Sequence, residues 1–207
     1  MALSIPDRVV VFDYGEVISR SQSEADKHAL VELAGVDAEE FWSVYWRHRD
    51  LLDHGRLGVV AYWQRVAGEL GRDWDLTTIQ QLWVLDFRSW FSVEPGTMRV
   101  IEELHAGGTR LALLSNAGFD FGDPFRTAPF ASLFERIFVS AELGLLKPEP
   151  AIYLHVAREL GVDPTRMVFI DNKAVNVDGA VALGVTGHVF TDAARLREFF
   201  VRLSQET

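Results

Sequence analysis

The feature that most constrains the fold is a short, uninterrupted apolar run that ends in a carboxylate. The run Val9-Val10-Val11-Phe12 has no polar position and is followed directly by Asp13. An apolar run without alternation is typical of a strand buried on both faces, as in a parallel sheet covered by helices. Asp13 is therefore expected at the carboxyl end of a strand, which is the edge where open α/β sheets bind ligands.

Two later segments repeat this pattern, and a lysine lies between them. Residues 111–116 have the sequence Leu-Ala-Leu-Leu-Ser-Asn, and residues 167–172 have the sequence Met-Val-Phe-Ile-Asp-Asn. Lys147 precedes Pro148 in a segment that leads from a loop into a helix started by proline. Because parallel strands end at one edge of a sheet, we expect these polar side chains to share a site.

The order of the remaining elements indicates one α/β core with a helical insertion. After residue 97 strands and helices alternate, which predicts a parallel sheet with right-handed crossovers. The predicted elements are helix 98–106, strand 109–115, strand 136–140, helix 149–161, strand 166–171, helix 174–184, strand 187–190 and helix 192–203. From about residue 21 to 91 the apolar residues recur at helical spacing, with Asp37 as a candidate N-cap. We therefore predict a core of residues 1–18 and 94–207 and an all-helical insertion of residues 19–93.

The ordered set of Asp13, Ser115, Lys147 and Asp171 resembles the four motifs of the haloacid dehalogenase-like (HAD) hydrolase superfamily. The resemblance extends from Val9 to about residue 189. It implies an α/β fold in which a Rossmann-like parallel sheet carries a small all-helical cap of the C1 class after its first strand. The Asp-x-Gly form of the first motif is similar to that of sugar-1-phosphatase-like members.

The resemblance also implies a chemistry, which is phosphoryl transfer to a carboxylate. Asp13 would be the nucleophile that forms an aspartyl-phosphate, Lys147 would offset negative charge, and Ser115 would hold phosphoryl oxygens. The implied cofactor is Mg²⁺, which prefers oxygen ligands. Its implied ligands are Asp13, the carbonyl of Gly15, Asp171 and Asn172.

Two positions depart from the family pattern. Most HAD phosphatases carry a second Asp two residues after the nucleophile as general acid and base, and Gly15 stands there in this chain. General acid–base catalysis contributes about 10²–10⁴ in rate, so a substitute or a good leaving group is expected. Many relatives have a second acidic residue at the position of Asn172, so we expect weaker metal binding here.

The helical insertion supplies further candidates. Arg49, His54 and Arg56 flank a Gly-containing loop, and together with Asn116 they are the predicted substrate-binding residues. Asp53 or His54 is the predicted substitute for the acid missing at residue 15. All six tryptophans fall between residues 42 and 90, where core packing between small helices is the favoured interpretation.

Composition limits the partners. The net charge of −10 argues against broad binding to nucleic acid or anionic membranes, and no cysteine is present for disulfides or thiolate sites. No stretch has the character of a signal peptide or the length of a membrane span, so a cytoplasmic location is predicted. The predicted partner is a small phosphorylated substrate, and the oligomeric state cannot be read from the sequence.

Two alternatives to a Mg²⁺-dependent phosphatase stay open. A 2-haloacid dehalogenase would use Asp13, Ser115, Asn116 and Lys147 without a metal, and Tyr153 also fits that subfamily. Those enzymes usually replace the motif of Asp171 with Ser and Asn. A non-catalytic relative that binds a ligand or a protein would account for Gly15 and Asn172. Retention of Asp171 favours the phosphatase.

Overall fold

The computed structural model describes residues 3–205, so residues 1, 2, 206 and 207 at the ends of the predicted core lie outside it. Five parallel strands form one sheet in the order β3-β2-β1-β4-β5. The strands are Val9–Phe12 (β1), Arg110–Ser115 (β2), Arg136–Val139 (β3), Met167–Asp171 (β4) and Thr186–Val189 (β5). The expected Rossmann-like α/β core is confirmed.

Helices follow or connect the strands in chain order. The first four are Glu24–Ala34 (α1), Ala38–Asp53 (α2), Val59–Glu69 (α3) and Leu76–Trp90 (α4). The rest are Pro95–Ala106 (α5), Gly122–Thr127 (α6), Ser140–Leu143 (α7), Pro150–Leu160 (α8), Ala174–Val181 (α9) and Ala193–Leu203 (α10). None of the helices in residues 3–205 is long and apolar enough to cross a bilayer.

The apolar first strand divides its side chains between two cores. Val10 and Phe12 pack on one face of the sheet with residues of α5 and α10, whereas Val9 and Val11 pack on the other face with residues of α8. Successive residues of a strand point to opposite faces, so a strand covered on both sides needs apolar residues at every position. Asp13 is the first residue beyond this double burial, where the chain leaves the sheet.

Helices α1–α4 lie between β1 and β2 in the chain and have a hydrophobic core of their own. Phe41, Tyr45, Trp63 and Leu82 are buried in it. Asp37 caps α2 by accepting hydrogen bonds from the N–H groups of the two glutamates that follow, as its spacing predicted. The helical insertion after the first strand is therefore present, and its limits at residues 19 and 93 remain our proposal.

The segment between β2 and β3 differs most from the predicted elements. Short 3₁₀ turns at Phe119–Phe121 and Pro129–Leu133 flank α6, and α7 directly follows β3. These elements have three to six residues each, which is too short for an apolar repeat of period 3.6 to be recognised. The aromatic side chains of Phe121, Phe125 and Phe130 bury the segment against the sheet.

Candidate active site

A buried trio of charged side chains lies at the carboxyl edge of the sheet. The Lys147 ammonium is 2.7 Å from Asp13 Oδ1 and 2.7 Å from Asp171 Oδ2, and it also donates to the carbonyl of Leu114 at 3.1 Å. Asp13 follows β1, Asp171 ends β4, and β1 pairs directly with β4. Neighbouring parallel strands thus bring the two carboxylates to the same lysine, as the sequence pattern predicted.

Asn116 holds the backbone of Lys147 in place. Its Nδ2 donates to the Lys147 carbonyl and its Oδ1 accepts from the Lys147 N–H, both at 3.0 Å. Two such bonds from one planar amide fix the position of the loop relative to β2. Asn116 also borders the cavity described below, so its predicted substrate contact is possible in addition to this structural one.

The second carboxylate, Asp171, is fully buried and has several hydrogen-bond donors. Besides Lys147, Asn176 Nδ2 donates to Oδ2 at 2.9 Å and the Lys173 N–H donates to Oδ1 at 2.8 Å. Asn176 is itself held by Tyr153, whose hydroxyl donates to the Asn176 carbonyl at 2.7 Å. Buried ions of this kind are retained only when they are paired and hydrogen-bonded.

Asp13 and Asp171 share the single positive charge of Lys147, so one negative charge is left unbalanced. This excess negative charge affects the pKa of Asp13. Burial raises the pKa of Asp13 to about 6, and the negative charge of Asp171 adds to the increase while Lys147 opposes it. The carboxylate pair conversely raises the pKa of Lys147 despite its burial, so this lysine stays charged. A further positive charge near Asp13 would therefore stabilise its ionised form.

The oxygens around this trio fit a hard divalent cation. Within residues 3–205 no three His, Cys, Asp or Glu side chains are gathered as metal ligands, so neutral oxygens would have to complete the set. Asn172 Oδ1 is buried without a hydrogen-bond partner, while its Nδ2 donates to Glu16 Oε2 at 2.8 Å. Such an orphaned acceptor, on a residue that follows Asp171 and lines the same cavity as Asp13, suits an oxygen-binding cation such as Mg²⁺.

A cavity of about 570 Å³ opens above the trio, between the sheet edge and helices α2 and α4. Asp13, Gly15, Ser115 and Lys147 line its floor. A Cβ placed on Gly15 would meet only Asp13 Oδ2, at 3.9 Å, so this position is open space beside the nucleophile expected from sequence. The floor thus has the predicted phosphate-handling groups but no second carboxylate at residue 15.

One face of α2 forms the opposite wall of the cavity. Trp42, Trp46, Arg49, Asp50 and Asp53 line it, and their spacing of three and four residues places them on one side of a helix. Trp46 is 48% exposed, whereas Trp63 is buried in the helical core. The favoured interpretation as core residues therefore holds for Trp63 and for Trp42, which is half-buried against the helical core, but not for Trp46.

The guanidinium of Arg49 is occupied inside the protein. Its Nε donates to Asp53 Oδ1 at 3.1 Å, and its Nη1 donates to Asp86 Oδ2 at 2.9 Å and to the Tyr45 hydroxyl at 2.5 Å. The Tyr45 hydroxyl in turn donates to Asp86 Oδ1 at 2.7 Å. Arg49 borders the cavity, as predicted, but its guanidinium already donates hydrogen bonds to Asp53, Asp86 and Tyr45.

The other two predicted substrate residues of the insertion lie away from the cavity. His54 and Arg56 are not among its lining residues, and His54 Nε2 faces Arg56 Nη2 at 3.4 Å. Helix α2 ends at Asp53, and at Gly55 the chain packs against the carbonyl of Ala141 and the ring of Phe119. The turn therefore leads away from the cavity, and substrate contact by these two residues remains an untested prediction.

Three further residues matter in the structure but were missed from sequence. Asn176 and Lys173 donate hydrogen bonds to Asp171. Ser140 joins α2 to the core, because its hydroxyl donates to the Asp53 carbonyl at 2.5 Å and accepts from the Ala117 N–H at 2.9 Å. For Asn176 a signal was present, since a polar residue in the first turn of a helix after a strand-end Asp can reach that Asp. For Ser140, 87 residues from Asp53, the sequence holds no such signal.

Comparison with known proteins assigns the family. The model of haloacid dehalogenase-like hydrolases matches residues 8–184. The chain belongs to this family of hydrolases, as the four ordered motifs indicated. Nothing in that match distinguishes the activities found within the family.

Curated relatives include both of the enzyme classes considered above. Flavin mononucleotide hydrolase 1 of Arabidopsis thaliana is 29% identical over 126 residues, which cover 61% of this chain and 50% of that protein. (S)-2-haloacid dehalogenase 1 of Pseudomonas sp. is 25% identical over 197 residues, which cover 86% of this chain and 82% of that protein. The chain matches only about half the length of the first of these relatives.

Solved structures share the fold. A HAD family enzyme from Bacteroides thetaiotaomicron, crystallised with magnesium and inorganic phosphate, has a TM-score of 0.72 at 20% identity and covers 91% of this chain and 98% of that one. The L-2-haloacid dehalogenase RSc1362 has a TM-score of 0.70 at 20% identity, with 94% and 98% covered. At this identity the likeness concerns the fold alone.

Proposed function

We propose that the protein is a Mg²⁺-dependent phosphatase that hydrolyses a small phosphate monoester through an aspartyl-phosphate on Asp13. The observation that carries this proposal is the sharing of one ammonium, that of Lys147, by Asp13 and Asp171. A phosphate group brought to these two carboxylates would add more negative charge than Lys147 can offset. A divalent cation resolves this imbalance, and the magnesium and phosphate in the Bacteroides relative support the same combination.

The residues fit the steps of this reaction. Asp13 Oδ2 has no lysine contact and is free to attack phosphorus, while Lys147 holds the other oxygen, Oδ1. The Ser115 hydroxyl makes no hydrogen bond to the described residues and faces the cavity, where it can donate to a phosphoryl oxygen. Asp13, the Gly15 carbonyl, Asp171 and Asn172 would hold Mg²⁺, which supplies charge stabilisation for the transferred phosphoryl group when bound.

The wall of α2 supports a substrate with a flat organic group. Trp42 and Trp46 border the cavity, and the ring of Trp46 lies 6.2 Å from that of Trp90, which also lines it. Sugar rings and aromatic rings both present flat faces to indole side chains. A sugar phosphate or an aryl phosphate would therefore suit this site, in the cytoplasmic setting that the sequence predicts.

The dehalogenase alternative is supported by relatives of that class. Against it, the Tyr153 side chain does not line the cavity and its hydroxyl is bound to the Asn176 carbonyl. Carbon–halogen displacement also needs no second carboxylate beside the nucleophile, whereas Asp171 is present and buried. We therefore favour the phosphatase.

The test is a panel of phosphate monoesters, assayed with Mg²⁺ and with EDTA, beside halide release from 2-chloropropionate. We expect Mg²⁺-dependent phosphate release that Asp13→Asn abolishes. The matched control is Asp178→Asn, because Asp178 is an exposed acid on α9 outside the cavity. Halide release that persists in EDTA would overturn the proposal in favour of a dehalogenase, and release of neither product would support a binding protein.

A further inference from the structure

Gly15 cannot donate a proton to the leaving group, but the face of α2 that lines the cavity carries a carboxyl group that can. We infer that Asp53 of the helical cap is the general acid and base of this site, in place of the carboxylate missing at Gly15. This inference rests on the proposed phosphatase function. It is carried by the placement of Asp53 on the cavity, by its free oxygen and by its link to the core.

Asp53 has one oxygen held and one oxygen open. Oδ1 accepts from Arg49 Nε at 3.1 Å, and Oδ2 accepts no hydrogen bond from the described residues. The side chain is 12% exposed and lines the same cavity as Asp13. A carboxyl group that is oriented through one oxygen can transfer a proton through the other.

The other carboxylates around the cavity are less suited to this role. Both oxygens of the Glu16 side chain are engaged, Oε1 by the Ser21 hydroxyl at 2.7 Å and Oε2 by Asn172. Asp50 also lines the cavity, but it is exposed, and no hydrogen bond or ion pair with a residue in the described range 3–205 orients its carboxylate. Asp86 belongs to the same buried network as Asp53 but does not border the cavity.

The position of Asp53 relative to the sheet edge is fixed. Ser140 binds the Asp53 carbonyl with its hydroxyl and accepts the N–H of Ala117, which follows Ser115 and Asn116 directly in the chain. The end of α2 is thereby tied to the loop that directly follows Ser115 at the end of β2. General acid catalysis requires this kind of fixed distance between the acid and the reacting group.

The charges around Asp53 set its protonation state. Arg49 and Asp50 lie on its own helix, Asp86 faces it from α4, and Asp120 interacts with the same guanidinium from the loop after β2. Burial raises the pKa of Asp53 to about 7, and Asp86 adds to the increase while Arg49 opposes it. A carboxyl group with this pKa is available as an acid near neutral pH and can return as a base.

The reaction would have two steps, formation and hydrolysis of the aspartyl-phosphate, and Asp53 would transfer a proton in each. Asp13 attacks phosphorus, the bond from phosphorus to the leaving oxygen breaks, and that oxygen takes the proton of the Asp53 carboxyl group. Asp53, now ionised, accepts a proton from the water that attacks the phosphorus of the aspartyl-phosphate. The bond from phosphorus to Asp13 breaks, inorganic phosphate leaves, and both carboxyl groups return to their starting states.

Asp53→Asn tests the inference with two substrates, 4-nitrophenyl phosphate and 2-phenylethyl phosphate. The first has a leaving group that needs little protonation, and the second has an alkoxide leaving group that needs it. We expect kcat/KM for 2-phenylethyl phosphate to fall by about 10²–10⁴, with less than about a tenfold loss for 4-nitrophenyl phosphate. Equal losses on both substrates would show that Asp53 acts only on the structure and would overturn the inference.

Asp86→Asn supplies a second, independent readout. Removing the Asp86 charge makes ionisation of Asp53 easier, so the decline of kcat/KM for 2-phenylethyl phosphate at high pH should begin at lower pH than in the wild type. This decline should be absent in Asp53→Asn. An unmoved pH profile in Asp86→Asn would contradict the inference even if Asp53→Asn did not fold. Failure of the wild type to hydrolyse either ester would refute the phosphatase function itself.

Discussion

The buried Asp53 should lower the stability of the protein at neutral and alkaline pH, and Asp53→Asn should relieve this effect. In the folded state the carboxyl group ionises with a pKa of about 7 instead of its ordinary value of 3.8. The folded protein therefore binds the proton more tightly than the unfolded chain does. The protonated carboxyl group causes no such loss of stability at low pH. The free energy of unfolding therefore falls as pH rises from about 4 to about 7, and above pH 7 the contribution of Asp53 stays constant.

The size of the effect follows from the two pKa values. Their difference corresponds to at most about 4 kcal/mol of unfolding free energy above pH 7. We therefore expect Asp53→Asn to be more stable than the wild type by up to about 4 kcal/mol at pH 8. An Asn at position 53 keeps an oxygen for Arg49 Nε and carries no charge, and thus mimics the protonated carboxyl group.

The assay is urea unfolding of the wild type and Asp53→Asn at pH 6 and pH 8, which stays above the isoelectric point of about 5.0. We expect the variant to be more stable at pH 8, and its excess stability to shrink by about 1 kcal/mol at pH 6. Asp50→Asn makes the same charge change at an exposed site and should show no such dependence. An excess stability of Asp53→Asn that is equal at both pH values would refute the reasoning.

Three further predictions concern the floor and the wall of the cavity. Gly15→Asp should restore hydrolysis of 2-phenylethyl phosphate in the Asp53→Asn background, because a side chain at residue 15 has open space beside Asp13. Asn172→Asp should lower the Mg²⁺ concentration for half-maximal activity, and more so together with Glu16→Gln, which removes the like charge 2.8 Å away. Trp46→Ala should raise KM for an aryl phosphate by about tenfold and leave KM for methyl phosphate nearly unchanged, as measured by phosphate release.

The sheet and the trio at its edge could be predicted because each depends on local pattern. Uninterrupted apolar runs identify buried strands, and parallel strands end at one edge, so Asp13 and Asp171 were expected at the same edge once both strands were recognised. The lysine between them followed from the ordered motifs. The same logic located the helical insertion, although the short helices after β2 and β3 lay below the length at which a period can be recognised.

The environment of the α2 residues could not be predicted because their partners come from distant elements. Arg49 has the spacing of a cavity residue, yet Asp86, 37 residues further along, takes part of its guanidinium. Trp46 and Trp63 have similar sequence surroundings, and only the packing of α3 and α4 on α2 determines which of them is buried. Helical periodicity predicts the side of a helix on which a residue lies, but not which other elements pack against that side.

The arrangement places the proposed nucleophile and the proposed acid in two separate parts of the chain. Asp13 is fixed by the sheet, whereas Asp53 depends on the end of α2 and on the hydrogen bonds of Ser140 to that helix and to Ala117. A carboxylate at residue 15 would move with the nucleophile, but an acid on α2 is in place only while this helix is seated against the core. Proton transfer to the leaving group would therefore require the seated helix, whereas the charged trio of Asp13, Lys147 and Asp171, which we propose binds phosphate, would remain assembled without it.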